Sequence, residues 1–314
     1  MKTPILIGGQ KIGRLRASFL LFKEAWRFLR ADKELLLVPI LSLLFSLVLF
    51  GIWTTLVTLV GGSVTDFMQA DVAMQTSEYV YLFGTYVIAA FSLALAQAIT
   101  VHIVYVRAHG GNASLGDGIS RTFSNIVPLF IWSIITSTVG MILRSISERS
   151  ALVGKIVTSL LGAAWAILTF FVIPIMVLDK KTAFSAIPTS AQLFKKTWGE
   201  TLVANVTLGL VFMVAHLLVF ASFIGLLIYA GSTLNSVLLI LSIIGVIVWL
   251  IVATLVHSAL EGILKTLLYI YAAENVVPSN FNKELLESML VKNHTTVMPT
   301  FTATTPAVTQ NTLV

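Results

Sequence analysis

The chain has 314 residues, 57% of them apolar and 11% charged, where a soluble domain carries roughly 45 to 50% apolar and about 25% charged residues. With a mean hydropathy of +0.95 it holds more apolar side chains than one core can hide, which excludes a soluble enzyme, a disordered tail and a collagen-like fibre. The absence of cysteine removes disulfides and thiolate metal sites, and the net charge of +6 fits basic loops facing an anionic leaflet. No basic stripe with interleaved aromatics lies outside the apolar runs, so nucleic acid is not an expected partner.

In chain order, the first signal is amphipathic. Leu15, Phe19, Phe22, Trp26 and Leu29 recur at spacings of four and three, which puts them on one helical face with Arg16, Lys23, Arg27 and Arg30 flanking it. Such a helix either lies in the leaflet boundary, with its cations on anionic headgroups, or packs on the ends of the protein's own helices. Six uncharged runs long enough for a bilayer core of roughly 30 Å follow: 35–60, 79–106, 126–143, 156–178, 201–230 and 237–258. The first starts too far along and runs too long for a signal core, so it is expected to persist in the mature chain.

Within and between the runs a few features stand out. Gln97 and His102 lie late in the second run, Asn205 early in the fifth, His216 near its middle and His257 at the end of the sixth. Ala90, Ala94 and Ala98, and Gly162 with Ala166, form small-residue stripes that permit close helix contact. Before the third run, 115–123 reads as a short helix capped by Ser114, with Ile119 and Phe123 on one face. Arg144, Glu148, Arg149 and Lys155 make a polar elbow between the third and fourth runs; it reads as snorkelling side chains or as a site for an anionic ligand or lipid headgroup. Leu193-Phe194-Lys195-Lys196-Thr197-Trp198 repeats the L-F-K-x-x-W form of 21–26. The fold class is therefore read as an all-α polytopic membrane protein with six transmembrane helices, in three repeats of interfacial helix plus hairpin. His257, Glu261 and Lys265 pair at i,i+4 on an extension of the sixth run; 281–291 is read as a short helix, and the Thr-rich end from about 295 as disordered.

Lysine and arginine set the orientation. Successive segments outside the runs carry eight, none, two, three, four, none and three of them, so alternate segments total 17 against 3. By the positive-inside rule both termini are cytoplasmic. The expected organisation is a cytoplasmic N-terminus (1–34), a six-helix domain (35–271) and a cytoplasmic tail (272–314). No Asp, Glu, Lys or Arg lies centrally in any run, which argues against ion-coupled transport. Pro39, Pro128 and Pro174 sit near run ends, so no mid-membrane helix break is signalled. Nor is there an H-E-x-x-H, G-x-S-x-G or phosphate-loop motif; no enzyme activity, cofactor or metal is expected.

The run Trp26-Arg27-Phe28-Leu29-Arg30-Ala31-Asp32-Lys33-Glu34-Leu35-Leu36-Leu37-Val38-Pro39 resembles the opening of a prokaryotic multi-pass membrane family, domain of unknown function 6159. The resemblance spans about 13–270, through Leu143-Arg144, Glu148-Arg149, Gly162-Ala163-Ala164-Trp165, Phe170-Phe171-Val172-Ile173-Pro174 and Lys195-Lys196-Thr197-Trp198-Gly199-Glu200. It implies a six-span protein of the prokaryotic inner membrane and lends no catalytic residues. It makes Trp26, Asp32-Lys33-Glu34, Lys195, Lys196 and Trp198 the expected lipid or partner contacts, and lends weight to the elbow. Two functions are weighed: a non-enzymatic scaffold or lipid-organising protein whose partners are membrane lipids, a second copy or other membrane proteins, and a permease for an uncharged or lipidic solute along Gln97, His102, Asn205 and His216.

Overall fold

The computed structural model describes residues 5–7, 10–12, 23, 25–60, 76–148, 153–198, 207–233 and 236–274, with backbone alone at 5–7, 10–12, 76–77, 197–198 and 207–216. Residues 15–22, 281–291 and the Thr-rich end, for which helices and disorder are expected, lie outside it. Two short strands, β1 (Ile5–Ile7) and β2 (Gln10–Ile12), pair antiparallel with Ile5 opposite Ile12; an all-α reading did not anticipate this ribbon. The other described elements are helices. Helix α1 covers 25–31, and Asp32 then caps a 3-10 turn, Lys33–Leu36, by accepting the Glu34 N–H at 3.2 Å. The chain continues through α2 (Leu37–Leu59), α3 (Thr76–Ala108), α4 (Leu115–Phe123), α5 (Ile126–Glu148), α6 (Val153–Leu168), α7 (Val172–Leu178), α8 (Ala183–Trp198), α9 (Thr207–Ser232) and α10 (Ser236–Glu274).

Among the described residues, five segments are long and apolar enough to cross a membrane: Lys33–Leu59, Glu78–Ala108, Ile126–Glu148, Val153–Leu178 and Ser236–Glu274. Helix α3 is the hub, packed against α2, α4, α5, α7 and α10. Ala94 and Ala98 of its small-residue stripe are buried, which lets neighbours approach closely. Across from it α5 buries Ser133 and Ser137, whose hydroxyls are returned to their own helix through Leu129 O (2.8 Å) and Ser133 O (2.6 Å). On the α2 side, Ser42 Oγ donates to Ser92 O at 2.7 Å and Trp53 Nε1 to Tyr81 O at 3.2 Å.

The bundle has two storeys. Exposed large apolar side chains line α2, α3 up to Leu93, α5, α6, α9 and α10 up to Val252; none lies on α7, on α3 after Leu93 or on α10 after Val252. Apolar exteriors of that kind are stable in lipid, where the surroundings are as apolar as the side chains. In the other storey the late parts of α3 and α10 form a buried core with the short helices α1, α4, α7 and α8. The lengths agree: at 1.5 Å per residue the 33 residues of α3 and 39 of α10 reach roughly 50 and 58 Å, well beyond a hydrocarbon core of roughly 30 Å. The extension expected beyond His257 is thus a folded part of the core.

The fourth run departs from its expected continuity. Pro174, third in α7, has no N–H, and its ring collides with a helical carbonyl four residues back. The chain therefore leaves the α-helix after Leu168 and tightens through Phe170 N–H to Ile167 O (3.3 Å) and Val172 N–H to Thr169 O (3.1 Å). It resumes as α7, in which every residue from Val172 to Val177 is buried. The buried Phe171 N–H finds its acceptor in Ser190 Oγ of α8 at 3.0 Å. The helix of the fourth run thus breaks between Leu168 and Val172, on the Pro174 side of the run.

Candidate functional site: a polar belt and its basic rim

The end at which α3 and α10 finish carries a belt of paired charges. Arg107, on the last turn of α3, pairs with Asp32 before the 3-10 turn and reaches Glu34 at 3.4 Å. Its Nε and Nη2 donate to Ala113 O at 3.1 and 2.8 Å, so one guanidinium joins α3, the loop before α4 and the α1–α2 junction. The Asp32 carboxyl is only 6% exposed. Burial pushes its pKa above the usual carboxylate value, and the Arg107 charge and the Glu34 N–H hold it back. Asp32 is therefore turned inward, a correction to its expected role as a lipid or partner contact.

Two residues past Arg107, His109 Nε2 meets Glu274 Oε2 at 2.9 Å while Nδ1 lies 2.8 Å from Tyr105 O, joining the ends of α3 and α10. The bond to the Tyr105 carbonyl raises the His109 pKa, burial opposes it and Glu274 adds to the rise. Tyr269 of α10 donates to Asp179 Oδ1, just beyond α7, at 2.7 Å, and Lys181 Nζ donates to Thr189 Oγ1 at 3.2 Å. The expected pair Glu261–Lys265 forms at 2.7 Å. Ser114 caps α4 as expected, in a reciprocal box with Asp117, whose carboxyl these bonds hold below its usual pKa. The packed face of α4 includes Gly118 and Thr122, whereas Phe123, expected beside Ile119, is exposed.

Outside this belt runs a basic rim. Helix α1 buries Ala25 and Leu29 in the core and exposes Lys23, Arg27 and Arg30 at or near its outer face; the Arg30 guanidinium lies 5.4 Å over the half-buried Trp26 ring. Of the two alternatives for this segment, its described part packs on the protein's own helices. Helix α8 repeats the arrangement: Ala183, Ala186 and Phe194 are buried, Lys195 and Lys196 exposed. The side chain of Trp198, like Arg16, is outside the described residues.

The other expected sites separate. Arg144 and Glu148 pair at 2.6 Å within the last turns of α5, so they belong to a helix and not to a loop; Arg149 lies outside the described residues. Gln97 and His102 are five positions apart on α3, about 140° around a helix of 3.6 residues per turn, and His102 faces Asp117 and Arg121 of α4. Asn205 and the His216 side chain are not among the described residues, so no shared path is assembled. No three His, Asp or Glu gather as a metal site among the described residues. Sequence reasoning missed Arg107, His109, Asp179, Tyr269 and Glu274. Their signal was weak: polar residues at or beyond the end of an apolar run.

The family model described as a family of unknown function (DUF6159) matches residues 76–278. The chain belongs to that family. The match leaves out the Trp26 to Pro39 run on which the resemblance was densest. No curated protein and no solved structure matches the chain.

Proposed function

We propose that this protein is a six-span, non-enzymatic component of a prokaryotic inner membrane that gathers anionic lipid around its cytoplasmic rim, with both termini in the cytoplasm. Five apolar segments and the 26-residue α9 support six spans, and the 17-to-3 distribution of cations supports the orientation. The short helices α1, α4 and α8, each ahead of a pair of long helices, support a threefold repeat.

One observation carries the functional reading. Helices α1 and α8 spend their apolar faces on the protein core and present Lys23, Arg27, Arg30, Lys195 and Lys196 outward, at the level where α3 and α10 leave the apolar storey. A basic residue near an anionic leaflet contributes about 1 kcal/mol, so five together favour anionic over zwitterionic neighbours, with a strong dependence on salt. The test is the full chain reconstituted in mixed phosphatidylcholine and phosphatidylglycerol vesicles, with the lipid shell read by spin-labelled lipids. Replacing the five cations by glutamine is expected to abolish the preference for phosphatidylglycerol. An unchanged preference refutes the reading.

A further inference from the structure

At the opposite end of the bundle, α3, α5 and α6 frame a groove of about 600 Å³, inside the range of about 300 to 1,000 Å³ typical of small-molecule sites. It exists because α6 starts hard against the end of α5. A Cβ on Gly154 would stand 2.7 Å from the Ile146 carbonyl oxygen, so only glycine permits the approach. Phe83 of α3, Met141 and Ile142 of α5 and Val157 of α6 line the groove. Thr138 also lines it, but its hydroxyl is bonded to Ile134 O at 2.8 Å, which leaves that wall apolar in character.

We infer that this groove holds one acyl chain of an anionic phospholipid whose phosphate is met by Arg144 and Lys155. Helices α3 and α5 and the α6–α7 segment are apolar and of membrane-spanning length, so a lipid chain is what their surroundings supply, and it covers apolar wall that would otherwise face water. Charge selects the headgroup. Arg144 and Lys155 each adjoin a lining residue, Ser145 and Gly154, and of the described residues of this elbow Glu148 alone opposes them. Glu148 takes the Arg144 Nε at 2.6 Å, and the Tyr86 hydroxyl lies beside the same guanidinium. These contacts hold its orientation, and a held planar guanidinium suits a phosphate better than a mobile one. The Arg144–Glu148 pair thus fixes a donor-bearing side chain next in sequence to Ser145 of the groove wall. This inference does not rest on the basic rim, which lies on the other storey.

The test separates the two regions by mapping. The full chain is reconstituted in phosphatidylcholine vesicles doped with a phosphatidylglycerol or phosphatidylcholine probe carrying a diazirine midway along one acyl chain, irradiated and digested. Adducts are expected to concentrate between Thr138 and Val157, and the phosphatidylglycerol probe to exceed the phosphatidylcholine probe there by about fivefold, the ratio that 1 kcal/mol sets. Filling the groove with Ser145→Trp, or with Thr138→Phe should the first variant not fold, is expected to remove that concentration, while Ser145→Ala keeps it. Arg144→Gln with Lys155→Gln keeps the adducts but erases the preference between probes. Adducts spread evenly over α2, α5, α6 and α10, or undiminished in both filled variants, overturn the acyl-chain site. Equal labelling by the two probes in the unaltered chain overturns the phosphate contact.

Discussion

Replacing Arg107 with methionine tests whether the belt is structural. The substitution keeps the apolar stem and removes the charge, so packing along α3 is largely preserved. What is lost is specific: the partner of Asp32, two donors to Ala113 O and the weaker contact to Glu34. Removing one member of a buried pair costs about 3 to 5 kcal/mol because the other charge is left in a poor solvent. Asp32 is 6% exposed but Arg107 is 21% exposed, so water already reaches one side and the low end, about 3 kcal/mol, is expected. Asp32→Asn alone leaves the better-solvated partner and costs about 1 to 2 kcal/mol.

Unfolding by dodecyl sulfate in detergent micelles, followed by tryptophan fluorescence, measures both singles and the double variant. The double variant is expected to be less damaged than the sum of the singles by at least about 1 kcal/mol, as residues in contact are coupled. Acidity supplies an independent check. Asp32 titrates above its usual value in the folded chain, so the stability linked to its protonated form is fully present below the unfolded value of 3.8 and is lost as pH rises through the raised folded pKa. Removing Arg107 takes away an influence that lowers that pKa, widening the window upward, so the Arg107→Met deficit should shrink on acidification. Additive single effects, or a deficit independent of pH, refute the pairing.

Two further outcomes are expected. Ser190→Ala leaves the buried Phe171 N–H without its hydroxyl acceptor and should cost about 1 to 3 kcal/mol in the same titration; a loss under about 0.5 kcal/mol would mean that the α6–α7 break is closed by something else. The raised His109 pKa means that the stability from its contact with Glu274 is fully present below pH 6.5 and declines as pH rises through the folded value. Amide exchange near Glu274 should therefore quicken with pH beyond its intrinsic rate, and His109→Phe should remove that excess.

The five membrane-length apolar segments were legible because lipid demands an unbroken apolar run, and the run is local in sequence. The Ser114–Asp117 cap and the Glu261–Lys265 pair were legible for the same reason: their partners sit three and four residues apart. The belt was not. Glu34 and Arg107 are separated by 73 positions, Asp179 and Tyr269 by 90, His109 and Glu274 by 165, and no periodicity links residues at such distances. The position of the α6–α7 break was not legible from Pro174's place near the end of a run. The proline's effect falls four residues earlier, at the carbonyl its ring displaces.

Hydropathy also cannot separate a lipid-facing helix from a core helix, since both read as apolar. Helix α10 is the clearest case: an apolar segment of 39 residues in which Val237 to Val252 is largely exposed and Ala259 to Ala272 largely buried. Only packing distinguishes the two stretches, and the short helices α1, α4, α7 and α8 do that packing. The amphipathic pattern of α1 left a leaflet surface and the protein's own helices as alternatives, and its apolar residues Ala25 and Leu29 are consumed by the bundle. The basic half remains. That division is why the scarce charges fall in two sets: those facing inward tie the ends of α3 and α10 to their neighbours, and Lys23, Arg27, Arg30, Lys195 and Lys196 stay on the exposed side.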